Sequence, residues 1–317
     1  MKKYSITTVV VTYNRKELLL NNLMHQLAQS YKIDHILIID NHSSDGTKAF
    51  LSEHGILNLR NVRYFYLPDN LGGAGGFQYG VERSREVGDD LVVLMDDDGY
   101  FCNKNALEIL VHHIPENRSL IMMNSLVTAD ESRLSFWLEF NIDGRLTKLY
   151  NIKQCLQYSE NDLIEDRINP FNGTIISQNL IKKIGYPNGA FFIRGDEADY
   201  QSRAAQAGAY IATVTSSRYH HPPVQIPEQK TILGITFENT YAVPWKEYYA
   251  TRNYLYRMRE HGRIYTLLRY LRRRIGVMLF DVPDKKMVIA FMKKGYQDAI
   301  KGNMGKQIQP GQKKLDC

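Results

Sequence analysis

The N-terminal third of the sequence alternates apolar strand patterns with helical patterns four times. The apolar segments are TTVVVTY (7–13), HILIID (35–40), VRYFYL (62–67) and LVVLMD (91–96), and each precedes a stretch with helical spacing. Such alternation is typical of a parallel sheet with helices on both faces, and folds of this kind bind ligands at the carboxyl ends of their strands. The sequence therefore predicts an α/β fold whose chemistry lies where these strands end.

The fourth strand pattern ends in three consecutive aspartates, Asp96, Asp97 and Asp98. Side chains alternate along extended backbone, so the first and third carboxylates should point to the same side and repel each other. A divalent cation would relieve that repulsion, and Mg²⁺ or Mn²⁺ prefers oxygen ligands while keeping positions open for substrate phosphates. We therefore expect a cation here with a nucleotide diphosphate beside it; the alternative is a solvated acidic turn.

Two other strand ends are suited to a nucleotide. Asp40 could accept the imide N–H of a uracil or thymine ring, or it could form an Asx turn that caps the next helix. The segment NLGGAGGF (70–77) has four glycines in five residues. Glycines there let backbone N–H groups approach a ligand at a helix start, or they form a tight turn. Their spacing fits neither the Rossmann fingerprint nor a P-loop.

A second acidic cluster, Asp196, Glu197 and Asp199, begins a helical pattern. Acids in a first turn complement the helix dipole, and adjacent acids after a glycine also favour an active-site base. The pair His220 and His221 follows a strand pattern. Either imidazole could complete an oxygen-rich metal site, although a histidine is often structural.

Charge and composition narrow the class of partner. Lys plus Arg exceed Asp plus Glu by six, and the sequence pI is about 9.0, which favours an anionic partner such as a nucleotide or a phospholipid surface. No eighteen apolar residues run together, so we expect a cytoplasmic protein. The three cysteines, Cys102, Cys155 and Cys317, are far apart and odd in number, which predicts reduced thiols.

The composition changes toward the C-terminus. From Pro244 onward Tyr, Arg and Leu recur at helical spacing. We therefore divide the chain into a catalytic domain at 1–243, a helical region at 244–302 and a mobile tail at 303–317.

Residues 256–280 have the pattern of a basic amphipathic helix. Its apolar face could pack on the catalytic domain with the arginines solvated, or the helix could rest on an anionic membrane surface. The membrane interpretation assigns the lipid contact to four arginines. These are Arg269, Arg272, Arg273 and Arg274, and the apolar positions are Ile264, Leu267, Leu268, Leu271, Ile275 and Met278.

The order of several motifs resembles that of the inverting glycosyltransferases of family two, which have a GT-A fold. The motifs are VVVTYNR, IIDNHSSDGT, NLGGAGGF, MDDDG, GDEADYQSRAAQAG, HH and WKEYYATRN, from residue 7 to about 253. Within the family the sequence is most similar to the bacterial galactofuranosyltransferases. The resemblance implies an α/β, mostly parallel sheet flanked by helices, a helical C-terminal region, a UDP-sugar donor and a divalent cation, Mn²⁺ or Mg²⁺.

The resemblance also implies roles for single residues. Asp96 and Asp98 face the ribose and the metal, and His220 or His221 binds the same metal. Glu197 is the catalytic base, with Asp196 in reserve because family members usually carry Asp where this chain has Glu197. The residues expected to bind the nucleotide sugar are Thr12, Tyr13, Asn14, Arg15, Asp40, Asn70, Gly72, Gly73, Gly75, Gly76, Asp96 and Asp97.

The implied activity is metal-dependent, inverting transfer of galactofuranose from UDP-galactofuranose to a lipid-linked glycan acceptor in cell-surface polysaccharide synthesis. The enzyme would act at the inner face of the cell membrane in peripheral contact with anionic lipid, with no nucleic-acid partner. A rhamnosyltransferase that uses a dTDP-sugar shares the pattern, and a non-catalytic nucleotide-binding module is a further alternative. A sugar-phosphate nucleotidyltransferase would need a glycine-rich basic loop after the first strand, and TYNRKE has no glycine.

Overall fold

The computed structural model describes residues 3–241 and 243–315, and the chain forms two compact units. The first contains residues up to 71, 76–187 and 200–224, and the second contains 72–75, 188–199 and the chain from 225 onward. Over the described residues, no helix combines the length and the apolar character needed to cross a bilayer. Cys102 and Cys155 are free thiols, and Cys317 lies outside the described residues.

The first unit is built on an eleven-stranded sheet with helices around it. Its strands are β1 (Ile6–Thr12), β2 (His35–Asp40), β3 (Val62–Tyr66), β4 (Leu91–Asp96), β5 (Tyr100–Phe101), β6 (Ile121–Thr128), β7 (Arg133–Ile142), β8 (Arg145–Asn151), β9 (Leu163–Glu165), β10 (Thr174–Ser177) and β11 (Tyr210–His220). The helices along this part of the chain are α1 (Lys16–Leu27), α2 (Thr47–Glu53), α3 (Gly72–Val87), α4 (Ala106–His112), α5 (Ile152–Leu156), α6 (Gln178–Ile184) and α7 (Asp196–Gln206).

The strand order is β3-β2-β1-β4-β10-β6-β11-β5. Strands β3, β2, β1 and β4, the four that the sequence predicts, are parallel neighbours. Strand β10 runs antiparallel between β4 and β6, and β6 is again parallel to β11. The prediction of a mostly parallel α/β sheet is therefore confirmed for the core of the sheet. The alternation did not reveal β10 or the antiparallel strands β5, β7, β8 and β9 at its margins.

Both faces of β1, β2 and β4 are buried, whereas the edge strand β3 is partly exposed. Along β1, Ile6 and Val10 belong to one hydrophobic core, while Val9 and Val11 belong to another on the opposite face. Strands covered on both faces read as continuous apolar runs rather than as alternating ones, because successive side chains point to opposite faces and each meets a helix layer. This is why TTVVVTY contains no charged residue.

The second unit is helical apart from one hairpin. Its elements are β12 (Gln229–Ile232), β13 (Ile235–Glu238), α8 (Pro244–Met258), α9 (Arg263–Leu279) and α10 (Lys285–Lys301). Proline suits the first turn of a helix because its missing N–H would have no partner there, and α8 begins at Pro244. The predicted helical C-terminal region is confirmed.

Residues 305–308, near the end of the chain, are bonded to α8. Arg252 donates a hydrogen bond from Nη1 to the carbonyl of Gly305 at 2.6 Å. The hydroxyl of Tyr249 donates to the carbonyl of Ile308 at 2.7 Å, and the Ile308 side chain is buried. The segment 303–317, for which composition predicts a mobile tail, thus has fixed partners over 305–308 because buried donors need acceptors.

Candidate active site

The acidic loop after β4 lies beside the histidine pair at the end of β11. Strand β5 follows the loop at once and pairs antiparallel with β11, with His220 opposite Tyr100. That register brings the next residue, His221, to the loop. Among the described residues, Asp96, Asp98 and His221 each offer one ligand atom, and these atoms all lie within 4.8 Å of one another.

The contacts of His221 fit a bound cation. Its Nδ1 lies 2.7 Å from the carbonyl oxygen of Pro222 and must carry the hydrogen, since a carbonyl only accepts. Its Nε2 lies 3.5 Å from Oδ1 of Asp98. With the hydrogen on Nδ1, Nε2 offers its lone pair toward the carboxylate, an arrangement that suits a metal ion bound by both. Two carboxylates and one imidazole are a donor set that suits Mn²⁺ or Mg²⁺.

The other histidine of the pair has different surroundings. The ring of His220 lies 4.8 Å from the ring of Tyr100, centroid to centroid. Partial burial and the neighbouring His221 lower the pKa of His220. The structure therefore brings His221, and not His220, together with the two aspartates.

Arg15 is a positive partner for the aspartate triplet. Its Nη1 lies 3.1 Å from Oδ1 of Asp97 and 2.9 Å from Oδ2 of Asp98. About half of the Arg15 side chain is exposed, so it reaches the carboxylates from the surface. A guanidinium thus relieves part of the repulsion that sequence reasoning assigned to the metal and its nucleotide alone.

Asp97 lies outside the group of Asp96, Asp98 and His221 and bonds to the first strand instead. It is 4% exposed and accepts a hydrogen bond from Oγ1 of Thr12 at 2.7 Å. Burial raises the pKa of Asp97 to about 6, although the bonds from Thr12 and Arg15 oppose that shift. Asp97 and Thr12 therefore tie the ends of β4 and β1 together.

A buried polar chain supports the acidic loop from below. Asn22 on α1 donates from Nδ2 to the carbonyls of Asp96 at 3.2 Å and Gly99 at 2.5 Å. Gln26 donates to Oδ1 of Asn22, and Thr8 donates to Oε1 of Gln26, both at 2.5 Å. Sequence reasoning missed this support. Its signal was two amides four residues apart in an otherwise apolar helix pattern, which places them on one helix face.

Gly99, the last residue of the MDDDG motif, is required by a buried aromatic ring. A Cβ at Gly99 would lie 2.5 Å from Cε1 of Tyr219, and one at Gly173 would lie 2.5 Å from Cδ2 of the same ring. The Tyr219 ring is wholly buried between them. The glycine after the aspartates therefore serves packing beneath the cluster.

The loop after β1 is bonded to the loop after β2. The backbone N–H of Asn14 donates to Oγ of Ser43 at 2.9 Å, and Ser44 returns a bond to Oδ1 of Asn14 at 2.7 Å. Asp40 is buried and accepts from the N–H of Ser43 at 2.7 Å and from the hydroxyl of Tyr64. The bond from Ser43 closes a turn within the loop, but Asp40 does not cap α2, where Asp45 accepts from the N–H of Thr47 at 3.1 Å. The interpretation of Asp40 as the cap of the next helix is therefore wrong, and its role in binding the base stays a prediction.

Tyr13, in the same loop, presents an exposed ring. Asn70 lies at the start of the glycine-rich segment, where Nδ2 of Asn41 donates to its Oδ1 at 3.1 Å. The buried Asn41 also accepts from the N–H of Leu71 at 2.9 Å. The ends of β2 and β3 are thus joined through one asparagine that sequence reasoning did not single out.

Two of the four glycines at the start of α3 have packing roles. A Cβ at Gly76 would lie 2.5 Å from Cγ1 of Val11, so the helix can pack directly on β1. Gly72 has φ of +71°, and a Cβ there would overlap the carbonyl of Phe192, which accepts from the N–H of Ala74 at 3.1 Å. A side chain at Gly73 would meet no neighbour within 4 Å. Gly75 completes the first turn of α3, and the nucleotide role of all four stays a prediction.

The second acidic cluster begins α7, as expected. The carboxylate of Glu197, in the first turn of the helix, accepts from the N–H of the preceding Gly195 at 3.0 Å. Asp196 is 5% exposed, whereas Glu197 is only partly buried. Glu197 is therefore the more exposed of the two adjacent acids.

The backbone before this acidic pair adopts costly conformations. Phe192 has φ of +66°, Arg194 of +63° and Gly195 of +91°. A left-handed conformation at a non-glycine residue costs on the order of 1–3 kcal/mol and persists only where the surroundings impose it. The loop 192–195 therefore needs contacts that stabilise these backbone conformations.

Two consecutive residues of α8, Arg252 and Asn253, stabilise this loop through hydrogen bonds to its carbonyl groups. Nδ2 of Asn253 lies 3.0, 2.8 and 2.7 Å from the carbonyl oxygens of Phe191, Ile193 and Arg194. The wholly buried Arg252 donates to the carbonyls of Ala190 at 3.2 Å and Phe191 at 2.9 Å. The motif WKEYYATRN, to which sequence reasoning gave no role, therefore contains the clamp of the loop that precedes the acidic pair.

The fold and the cluster at its strand ends define a glycosyltransferase of the GT-A type. A family comparison specifies it further, because the Glycosyl transferase family 2 model matches residues 7–211. This chain belongs to that family and is a glycosyltransferase, as the order of its motifs suggested.

Two relatives of this chain are described more narrowly than the family, as galactofuranosyltransferases. The chain is 29% identical over 261 residues to the galactofuranosyltransferase GlfT1 of Mycolicibacterium smegmatis, a match that covers 81% of this chain and 84% of that protein. It is 27% identical over 262 residues to the GlfT1 of Mycobacterium tuberculosis, with 81% and 83% covered. The resemblance to galactofuranosyltransferases is therefore confirmed at the level of sequence similarity.

Solved structures agree on the fold. GalNAc-T7 with UDP, GalNAc and Mn²⁺ has a TM-score of 0.55 at 15% identity, and the match covers 94% of this chain and 55% of that one. The mannosyltransferase PcManGT of Pyrobaculum calidifontis, with GDP-Man and Mn²⁺, has a TM-score of 0.52 at 12% identity, with 95% and 75% covered. S. aureus TarS 1–349 with UDP-GlcNAc has a TM-score of 0.52 at 14% identity, with 92% and 72% covered.

Proposed function

We propose that this enzyme transfers galactofuranose from UDP-galactofuranose to a glycan acceptor with inversion at the anomeric carbon, in cell-surface polysaccharide synthesis. The observation that carries the proposal is the grouping of Asp96, Asp98 and His221 in a chain similar to two galactofuranosyltransferases. Two structural neighbours support the same class of donor and cofactor, because one binds UDP, GalNAc and Mn²⁺ and the other binds GDP-Man and Mn²⁺.

Asp96, Asp98 and His221 would hold Mn²⁺ or Mg²⁺. When bound, the cation would act as a Lewis acid that neutralises charge on the leaving diphosphate. Arg15 already bridges Asp97 and Asp98, and its half-exposed guanidinium could also meet an anionic phosphate. The exposed ring of Tyr13 and the bonded loops at Asn14 and Asp40 would receive the nucleoside.

Glu197 would act as the general base. It would take the proton from an acceptor hydroxyl while that oxygen forms a bond to the anomeric carbon and the bond from that carbon to the diphosphate oxygen breaks. Attack from the face opposite UDP inverts the configuration in one displacement, so no covalent glycosyl-enzyme is needed. Its partial exposure and its place on a clamped helix start support Glu197 over the buried Asp196.

We further propose that the acceptor is lipid-linked and that the enzyme works at the inner face of the cell membrane. A soluble donor and a membrane-held acceptor can meet only where the enzyme reaches both. Peripheral contact with anionic lipid would meet that requirement.

A panel of sugar nucleotides tests the proposal. We expect UDP-galactofuranose with Mn²⁺ to give product on a galactan-type or lipid-linked acceptor, with turnover lost in excess EDTA. Turnover with dTDP-rhamnose instead would assign a rhamnosyltransferase, because uracil and thymine offer Asp40 the same imide N–H. Binding of UDP without turnover on any acceptor would indicate a nucleotide-binding module.

A further inference from the structure

The apolar face of α9 is exposed to solvent. Six side chains share it, and the exposed fraction is greatest at Ile264, with 78%, and Leu268, with 59%. The opposite face, with Tyr270, Val277 and the following Phe280, is buried in the core of the second unit. The helix therefore does not use this face to pack on the protein, which was one of the two interpretations of the sequence. We call it the apolar stripe: Ile264, Leu267, Leu268, Leu271, Ile275 and Met278.

The stripe has the geometry of an interfacial helix. At about 100° of rotation per residue, its six side chains occupy roughly 100° of the helix circumference. They extend along about 20 Å of the helix axis, since each residue rises 1.5 Å. Such a stripe can lie in the plane of a membrane interface with its whole length immersed.

The hairpin β12–β13 adds a second apolar feature. At its turn Leu233 is 97% exposed, and the flanking Ile232 and Ile235 are also exposed. The hairpin contacts α9: Nη2 of Arg272 donates to the carbonyl of Thr236 at 3.0 Å. Lys230 likewise donates to the carbonyl of Leu279 at 2.9 Å. Stripe and hairpin turn thus belong to one packed unit.

The arginines divide between the protein and the surface. Arg273, one of four expected to contact lipid, pairs with the buried carboxylate of Glu247. Arg269 lies over the rings of Tyr254 and Tyr265, at 5.8 and 5.3 Å. Packing and a buried ion pair thus give two of the four arginines partners within the protein, and these two are left out of the lipid contact proposed below.

Exposed arginines border the stripe instead. Arg263 and Arg274 are exposed and fall next to it on one side of the helix, while the exposed Arg272 falls on the other. The surrounding chain is also basic. Residues 225–317 contain eighteen Lys and Arg against eight Asp and Glu, whereas residues 1–224 contain twenty-two against twenty-six. The whole basic excess therefore lies in the C-terminal part of the chain.

We propose that the second unit binds an anionic phospholipid surface by inserting the apolar stripe and the turn of the hairpin between headgroups, with Arg263 and Arg274 on lipid phosphates. The alternative occupant, a second copy of this chain, would bring two basic borders together in a region poor in acidic residues. Like charges at an interface oppose association. A bilayer offers both an apolar interior and negative charge.

The inference deepens the proposed function by giving its membrane contact a surface. It is nevertheless tested separately, because lipid binding needs neither donor nor acceptor. Flotation of the full chain with vesicles measures it without confusing binding with aggregation. Vesicles of phosphatidylcholine with phosphatidylglycerol should carry the protein upward, and vesicles of phosphatidylcholine alone should carry much less.

Two variants divide the apolar and the basic contributions. Leu268→Glu with Ile275→Glu should remove flotation almost completely. Arg263→Gln with Arg274→Gln should weaken the apparent affinity for the vesicles about thirtyfold in low salt. Each basic side chain near an anionic surface contributes roughly 1 kcal/mol to binding, and two are removed. Matched controls on the first unit are Leu146→Glu and the pair Arg60→Gln with Arg145→Gln, all exposed, and these should float like the parent.

The results of these experiments either support or overturn the proposed lipid binding. All variants alter exposed side chains, so unchanged thermal unfolding should accompany every one of them. A parent protein that stays with the bottom fraction in low salt, or an L268E/I275E variant that floats normally, overturns the proposal. A dimer in light scattering that L268E/I275E converts to monomer, with no vesicle binding by the parent, would make the stripe a self-association surface instead.

Discussion

At the scale of single residues, the acidic loop depends on which side chain faces which. Asp98 uses one oxygen toward Arg15 and the other toward His221, while Asp97 divides its two oxygens between Arg15 and Thr12. One residue of shift along β11 would have presented His220 instead. The site is therefore as specific as the strand register that builds it.

The two histidines give the first prediction. His221→Gln should weaken Mn²⁺ binding at least tenfold, because the imidazole Nε2 faces Asp98 and glutamine is a weaker ligand. His220→Gln is the matched control and should leave binding within about twofold of the parent. Titration of Mn²⁺ in the presence of UDP, followed by thermal shift, measures both. The reverse ranking would assign the ligand to His220.

The second prediction concerns the base. Glu197→Gln should reduce kcat by about a hundredfold or more while UDP binding changes little, since the carboxylate acts on the acceptor hydroxyl. Asp196→Asn is the comparison, and its buried position predicts an effect on stability rather than on proton transfer. Transfer rates and UDP affinity should be measured together. An active E197Q protein beside an inactive D196N protein would reassign the base.

At the scale of elements, the contact of α3 with β1 depends on the absence of a side chain. Gly76→Ala places a methyl 2.5 Å from Cγ1 of Val11, and overpacking of this kind typically costs about 1–3 kcal/mol of unfolding free energy. Gly73→Ala meets no neighbour and should be neutral or stabilising by up to about 1 kcal/mol. Chemical denaturation distinguishes them. Equal effects would mean that helix propensity, and not packing, decides both positions.

The clamp formed by α8 gives a prediction at the same scale. Asn253→Asp keeps the shape of the side chain but points a carboxylate at three carbonyl oxygens, so the loop before Glu197 should lose its fixed conformation. We expect kcat to fall at least tenfold with KM for the donor nearly unchanged. Asn179→Asp, an exposed change on α6, is the matched control.

A merely destabilising effect of Asn253→Asp would lower the melting temperature and leave kcat of the folded fraction intact. A conservative Asn253→Gln variant adds a further check, because a longer amide can still donate to part of the carbonyl set. Partial recovery of kcat by N253Q over N253D would support positioning. Equal and full activity of both would contradict it.

At the scale of the whole molecule, ligand binding should appear as a linked gain in stability. UDP with Mn²⁺ at about a hundred times their dissociation constant should stabilise the protein by about 2.7 kcal/mol. EDTA should abolish that gain if the cation joins the diphosphate to Asp96, Asp98 and His221. A thermal shift by UDP that EDTA leaves unchanged would indicate that UDP binds without the cation, through Arg15 and the loops that contain Asn14 and Asp40.

Much of the sheet could be predicted from the amino-acid sequence. Three of the four parallel strands were predictable because strands buried on both faces read as largely apolar runs, as TTVVVTY, HILIID and LVVLMD do. The partly exposed β3 was predictable from its β-branched and aromatic residues. The antiparallel β10 and the two-residue β5 were not. Their positions depend on which strand they meet, and nothing local in TIIS or YF carries that information.

What the sequence by itself determined was chemistry and class: a triple aspartate, a histidine pair, an acidic helix start and a motif order that family comparison confirms. What only the tertiary structure decided was which groups meet. It joined His221 to Asp98, turned Arg273 inward to Glu247 and left the stripe of α9 exposed. The reason is physical: side-chain type and periodicity are local properties, whereas register, burial and ion pairing are set by residues far apart in the chain.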